Sequence, residues 1–234
     1  MSAERSVVAP VGGLLEEQPD TMAHRSPISR AVLDHLSARL GPPTLCYSFQ
    51  PEQQPRIDLL FVPPSEASEG AVTVCTLGMS EFVQPVPAGV PQPPRCELML
   101  RLPADWPMDE HKLTERHTAW PLHWLTALAR MPQRLATWVG PGHTIPNGDP
   151  PQPFTEGTGL CGFLIVLPVC FEEGQDVVST PAGPVALFSA LPIHASELRL
   201  ALERGAGVLL ERLLAANVDD VIELTRAPVD APAG

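Results

Sequence analysis

Histidine, cysteine and lysine, on which much bond-breaking and ion-binding chemistry rests, are few: seven histidines, five cysteines and a single lysine, Lys112. Their spacing matches no reactive pattern. His111, His117 and His123 recur every six residues. On a helix that interval disperses them around the axis, whereas metal ligands sit three or four apart, and no H-E-x-x-H is present. Cys46, Cys75, Cys96, Cys161 and Cys170 form no Cys-x-x-Cys pair, and each lies in or beside an apolar, strand-like run. An odd, scattered set of this kind reads as reduced core residues in a cytosolic protein. Gly78-Met79-Ser80 follows a strand-like run as a nucleophile elbow does, but Phe82 stands where the second glycine belongs. Gly157-Thr158-Gly159-Leu160-Cys161-Gly162 spells G-x-G-x-x-G. A dinucleotide needs a strand before that pattern and a helix N-terminus after it, and here a loop precedes and a strand-like run follows. Lys112 is flanked by His111 and Leu113, which rules out a Walker A phosphate loop.

One loop does combine chemistry with exposure. Gly142-His143-Thr144-Ile145-Pro146-Asn147-Gly148-Asp149-Pro150 is built from turn residues, and the most apolar run of the chain, Phe163 to Leu167, follows it. Loops held on buried strands are where proteins place recognition groups. His143 with Asp149, or with a cysteine brought near by folding, would make a base for a hydrolase, but nothing in the spacing selects such a pair. The four tryptophans surround a helical middle. Trp120 and Trp124 read as core, while Trp106, in Pro103-Ala104-Asp105-Trp106-Pro107, reads as partly exposed. The acidic pairs Glu16-Glu17 and Glu172-Glu173 read as solvated turns.

Elements that would position these residues are legible in the spacing of apolar positions. Pro27 to Leu40 is predicted helical, with Ser26 as cap, Gly41 as stop and Ile28, Val32, Leu36 and Leu40 on one face. Strands are predicted at Thr44 to Phe49, Arg56 to Val62, Val72 to Leu77 and Arg95 to Leu102. The last alternates Cys96, Leu98, Leu100 and Leu102 against Arg95, Glu97 and Arg101, the period of a half-buried strand. Pro121 opens a helix carrying Leu122, Leu125 and Leu128, disturbed at Met131-Pro132. A strand at Leu160 to Val169 and a hairpin of Asp176 to Thr180 with Val185 to Leu191 follow. A helix capped by Ser196 carries Leu198 and Leu202, and a second helical stretch holds Val208, Leu209, Leu213 and Leu214. Val221-Ile222 reads as a short closing strand. The order is α+β, a mixed and mainly antiparallel sheet packed with helices. Residues 26–226 form the domain, between a flexible N-terminal segment, 1–25, and a flexible tail, 227–234.

Composition sets outer bounds. The 234 residues include 44% hydrophobic and only 18% charged, below the usual roughly 25%, and carry a formal net charge of −12. An acidic chain repels phosphate backbones, which excludes nucleic acid and anionic membrane as partners and favours a basic protein. No basic-then-apolar leader opens the sequence, and no apolar run reaches the ~18 residues of a membrane span, so a soluble, cytoplasmic protein is expected.

Several pieces in order resemble the suppressor of fused domain family: Thr76-Leu77-Gly78-Met79-Ser80, Cys96-Glu97-Leu98-Met99-Leu100-Arg101-Leu102-Pro103, Trp120-Pro121 with Leu128-Ala129-Arg130, and Gly142 to Asn147. Pro184-Val185 with Leu187-Phe188, Glu197-Leu198 and Gly207 to Leu214 complete the series, which spans Ser26 to Arg226. The resemblance implies a binding module. The animal namesake sequesters Gli transcription factors, gripping an extended peptide between this domain and a second one. The match here ends near the end of the sequence, so the form expected is the stand-alone one. Stand-alone bacterial relatives have been proposed as immunity proteins against toxins. The expected function is therefore a non-enzymatic, acidic protein that docks on a partner, such as a basic toxin domain, and covers its active site. A peptide-binding scaffold that accepts a strand at a sheet edge is the alternative, and a hydrolase using His143 the third reading. Expected contacts are Leu77, Gly78, Met79, Ser80 and Glu81; Asp105 with Trp106; and His143, Thr144, Ile145, Pro146, Asn147 and Asp149. No catalytic residue, metal ligand or cofactor is assigned.

Overall fold

Ser26, Pro27 and Gly41 bound the first helix as their chemistry requires. Ser26 Oγ accepts the Ser29 N–H at 3.1 Å, Pro27 takes the first helical position, and Gly41 leaves the helix at φ +107°. The computed structural model describes residues 14–17, 25–49, 53–109 and 112–229. The elements are β1 (Leu14–Glu17), α1 (Pro27–Leu40), β2 (Leu45–Phe49), β3 (Asp58–Val62), β4 (Val72–Leu77), β5 (Cys96–Leu102) and α2 (Arg116–Leu135). After them come β6 (Thr144–Pro146), β7 (Leu160–Val166), β8 (Val177–Thr180), β9 (Gly183–His194), α3 (Ala195–Arg204) and α4 (Ala206–Ala215). Among the described residues the nine strands form one sheet in the order β1-β2-β3-β4-β5-β9-β7-β6, with β8 also paired to β9. All neighbours run antiparallel except β5 and β9.

Helices cover both faces of this sheet. One face packs on α2: Leu98 and Leu100 of β5, Phe163 and Ile165 of β7, and Phe188 of β9 meet Trp120, Leu122, Leu125 and Leu128. The other face is shared. Its first half packs on Val32, Leu36 and Leu40 of α1, and its second half on Leu198 and Ala201 of α3 with Leu209 and Leu213 of α4. Along β9, Val185 and Leu187 belong to the first half and Leu191 and Ile193 to the second, with Ser189 between them. That seam is filled by charge. Arg101, fully buried on β5, donates from Nη1 to Asp220 Oδ1 at 2.7 Å and from Nη2 to the Ser68 carbonyl at 2.6 Å. Ser189 Oγ donates to Asp220 Oδ2 at 2.6 Å. Asp220 belongs to the segment after α4, which runs beside β5 through an isolated bridge of Val221 to Arg101 and ends near α3. There Arg226 makes two 2.6 Å bonds to the Glu197 carboxylate.

Several sequence expectations change accordingly. Covering both faces buries all seven residues of β5, so Glu97 and Arg101 point into the interior and the strand is not half-buried. The second helix starts at Arg116 and runs through both Pro121 and Pro132, because its long apolar face outweighs the roughly 3 kcal/mol that an interior proline costs. It stops at Ala136, which adopts a left-handed φ of +48°. α3 is capped by His194 and not by Ser196, and Leu202 points outward at 79% exposure although Leu198, one turn earlier, is buried. Within the N-terminal segment read as flexible, Leu14–Glu17 pair with β2, so Glu16 and Glu17 lie in a strand and not in a turn. Residues 1–13 and 18–24 of that segment and residues 230–234 of the tail lie outside the described residues. The five cysteines are free thiols, as their scatter predicts. No helix among the described residues is long and apolar enough to cross a membrane.

The α3 anchor carries a pH dependence. Burial alone would push the Glu197 carboxyl up. Hydrogen bonds from Arg226 and the His194 N–H, the guanidinium charge and the Val229 N–H outweigh it and leave the group below the ordinary carboxylate range. A folded-state pKa below the unfolded one adds stability above the unfolded value and loses it as pH falls through the folded value. Urea unfolding followed from pH 7 to pH 3 is expected to show this loss in the acid limb. Glu197→Gln is expected to shrink the acid limb and to lower neutral-pH stability by about 3–5 kcal/mol, since Arg226 is left buried without its counter-charge.

Candidate functional site

β6 forms one end of the sheet, and beside it lies a groove of about 600 Å³. Met131 and Leu135 at the end of α2 form one wall, Trp138 and His143 the back, and Ala201 and Leu202 of α3 with Ala206 of α4 the other wall. Thr144, Ile145 and Pro146 of β6 line its length. Leu135 and Leu202, both lining the groove, stand at 68% and 79% exposure.

The back wall is held by two glutamines from the proline-rich loop before β5. Gln84 Oε1, buried, accepts the Val139 N–H at 2.8 Å, and Gln92 Nε2 donates to the Val139 carbonyl at 3.0 Å. Gly140 sits so close that a Cβ there would stand 2.0 Å from Gln92 Oε1 and 2.7 Å from the Trp138 ring. Gly142 takes φ +88°, closing a turn in which the His143 N–H donates to the Gly140 carbonyl at 3.1 Å. Gly142 N–H donates to the Ile165 carbonyl at 2.8 Å, while Ile165 N–H donates to the His143 carbonyl at 2.9 Å. Two residues therefore face one, a bulge led by a glycine with positive φ. At the other end, Asn147 closes the loop through Gln152, whose N–H donates to Asn147 Oδ1 at 3.0 Å.

The groove is electrically neutral. Its lining contains no acid, thiol, lysine or arginine. The His143 ring packs edge-on against Trp138 with centroids 4.1 Å apart, and burial, partly offset by a hydrogen bond with the Trp138 backbone, lowers its pKa below the ordinary histidine value. The shift favours the uncharged ring. Elsewhere, burial raises the Cys96 thiol to about 12 and the Cys170 thiol to about 11, so neither supplies a thiolate. Among the described residues no three His, Cys, Asp or Glu side chains gather as a metal site. His117 and His123 lie on α2, and His111 lies outside the described residues.

The expected contact residues divide. His143, Thr144, Ile145 and Pro146 meet in the groove; Asn147 and the exposed Asp149 belong to the loop beyond it. Leu77, Gly78, Met79 and Ser80 are buried and unable to touch a partner. Their turn instead wraps the buried Glu97 carboxylate, which accepts the Gly78 and Ser80 N–H groups at 3.0 Å and the Ser80 and Thr76 hydroxyls at 2.6 and 2.5 Å. Burial pushes the Glu97 pKa up against the pull of these donors. Glu81 is exposed and accepts from Ser29 of α1 at 3.1 Å. Trp106 is also buried, correcting the expected exposure, and its indole N–H donates to the Thr118 carbonyl at 3.2 Å. Asp105 beside it is exposed. Sequence reasoning missed Met131, Leu135, Trp138, Ala201 and Ala206 as lining residues, because they converge from three helices and the loop after α2.

A family model described as suppressor of fused protein (SUFU) matches residues 53–227. Among solved structures, the chain is similar to a suppressor of fused homologue from Neisseria gonorrhoeae FA 1090, at 18% identity and TM-score 0.63, covering 88% of this chain and 98% of that one. It is similar to a chain of the Sufu–Fu complex, at 18% identity and TM-score 0.60, covering 87% of this chain and 92% of that one. Drosophila Suppressor of Fused matches at 18% identity and TM-score 0.63 over 92% of this chain, which spans about half of that chain, 52%. At this identity the likeness is one of fold. No curated protein matches the chain.

Gly140→Ala tests how tightly the back wall is held. The Gln92 amide can swing away, but the Trp138 ring is confined, so a loss of about 1–3 kcal/mol in urea unfolding is expected, with a shifted tryptophan emission from the native state.

Proposed function

We propose, from the premise that the chain belongs to the suppressor of fused family, that it is a non-enzymatic protein-binding module whose groove beside β6 takes an extended segment of a partner protein by strand addition. The observation that carries this reading is the coincidence of a sheet edge left unpaired among the described residues with a concave apolar wall on each side of it. An edge strand offers main-chain donors and acceptors that an added strand satisfies, and the walls receive its alternate side chains. A neutral groove suits apolar side chains, whose burial supplies the affinity. The solved Sufu–Fu complex is in keeping with a binding role for this fold. The lining sets neither an acid nor a thiolate beside His143.

The net charge of −12 favours a basic partner through long-range steering and supports a more specific reading. In that reading the chain acts in the cytoplasm as an immunity-like protein and occludes a basic toxin domain by capturing one of its extended segments. Asp105, Glu81 and Asp149, all exposed, contribute to the acidic surface.

Selection from a phage-displayed library of random twelve-residue peptides tests the strand-addition reading. Enriched peptides are expected to carry apolar residues at alternating positions and to lose about tenfold in affinity against Leu202→Glu, which sets a charge at the groove mouth. No enrichment, or binding indifferent to Leu202→Glu, overturns it. Co-expression with the product of a neighbouring toxin-like gene tests the narrower reading, for which failure to protect the cell is the negative result.

A further inference from the structure

We infer that the β6 edge reads a short linear segment, through three main-chain hydrogen bonds and no more, because Pro146 truncates the ladder. This rests on the strand-addition reading and concerns how much of a guest that edge can hold. In an antiparallel pair, alternate residues direct their N–H and C=O toward the partner strand and the others direct theirs away. Thr144, Ile145 and Pro146 pair with Leu164, Phe163 and Gly162 of β7. The His143 carbonyl and the Asn147 N–H both bond toward β7, to Ile165 N–H and to the Cys161 carbonyl at 3.0 Å. By alternation Ile145 faces β7 as well, and the outward groups are those of Thr144 and Pro146. Proline has no N–H. The edge therefore offers three groups: the Thr144 N–H, the Thr144 carbonyl and the Pro146 carbonyl.

Both ends of this short ladder are closed. Upstream, the Gly142–His143 bulge and its turn to Gly140 curl the backbone away from strand geometry. Downstream, Asn147 folds into its ring with Gln152. A guest running in either direction donates to the edge with two N–H groups, two residues apart, and accepts once, from Thr144. A guest carbonyl brought opposite Pro146 finds no donor. Extending the guest past that point gains no further main-chain bond, so the segment is short, on the order of five residues.

Side-chain recognition is split between the walls. Gly162, opposite Pro146, would place a Cβ 2.8 Å from Leu198 of α3, and Leu164, opposite Thr144, packs in the α3–α4 cluster. Ile145 packs instead on the α2 side. Alternate guest side chains consequently meet Ala201 and Ala206 on one side and Met131 and Leu135 on the other. Alanine leaves room, so the α3 wall takes the larger side chains. The partner is thus a protein that presents an apolar stretch outside its own regular structure, such as a loop or a terminal segment. A long sheet edge of another fold would find three bonds and then proline.

A proline on an edge strand also guards against aggregation, and the experiment separates the two roles. The probe is a synthetic copy of the peptide enriched from the random library, titrated by fluorescence anisotropy against the full chain and against Pro146→Val. Restoring the missing donor is expected to tighten binding about three- to tenfold. A scan of backbone N-methyl groups along the peptide, on the unaltered protein, is expected to find two sensitive positions two residues apart. Unchanged or weaker affinity in a Pro146→Val chain that melts at the wild-type temperature overturns the inference. So does a scan with three or more sensitive positions, or with two at another spacing. If Pro146→Val self-associates, the N-methyl scan decides alone. Absence of any bound peptide, or a wild-type dimer in sedimentation that closes the β6 edge, overturns the strand-addition reading itself.

Discussion

The buried pair of Arg101 and Asp220 is the contact on which the remaining architecture depends. A sheet covered on both faces leaves no outlet for a charged strand residue, and the opposite face of this one is covered by two helical units that do not merge. Their seam runs past Ser189, and a guanidinium and a carboxylate fill it. Burying either charge alone costs several kcal/mol, so each is tolerable only because the other is present. The pair joins the middle of the sheet to a segment more than a hundred residues later. It pins the start of the closing strap, and Arg226, six residues on, pins the end of that strap to Glu197 on α3. The wall of the groove formed by Ala201 and Leu202 lies on the same helix, one turn beyond Glu197.

Two buried carboxylates show how differently the same problem is solved. Glu97 is held by backbone N–H groups of one tight turn and by the hydroxyls of Ser80 and Thr76, with no cation bonded to it among the described residues, and burial raises its pKa. Glu197 is held by a guanidinium and its pKa falls. The first arrangement is local: it shapes the turn after β4 and ties it to β5. The second joins a helix to the end of the described chain. A partly satisfied carboxylate at either place would be worse than an apolar residue, which explains the number of donors each receives.

Much of this fold was legible because it rests on short-range rules. Ser26, Pro27 and Gly41 bound α1 by cap chemistry, and Pro181 to Pro184 between two apolar runs marked the β8–β9 hairpin. Burial on the second face was not legible. The alternation Cys96-Glu97-Leu98-Met99-Leu100-Arg101 looks amphipathic whether its polar side meets water or meets Asp220 and Ser80, since partners 119 and 17 residues away leave no local mark. The same limit hid Trp106, whose proline-flanked loop reads as exposed until Thr118 supplies a carbonyl for the indole. Of the site, the His143 loop was found because its turn residues are contiguous. Its walls were not, because Leu135 and Leu202 are conspicuous only once their exposure is known.

Neutrality and shortness of the groove fit one another. Main-chain bonds at an edge are indifferent to side chains, and each contributes only about 0.5–1.5 kcal/mol net. A recognition surface that relied on a long ladder would accept any extended chain. One limited to a few such bonds must draw its selectivity from the walls, and in the proposed reading a wall of Met131 and Leu135 facing one that carries Ala201 and Ala206 would discriminate by volume. In the proposed reading the acidic charge would act at longer range, raising the rate at which a basic partner arrives without entering the groove. Contact by apolar side chains and approach by charge are thereby assigned to different parts of one surface. The rigidity that lets volume discriminate comes from the interior: Gln84 and Gln92 behind Trp138, and the Glu197–Arg226 pair beneath α3.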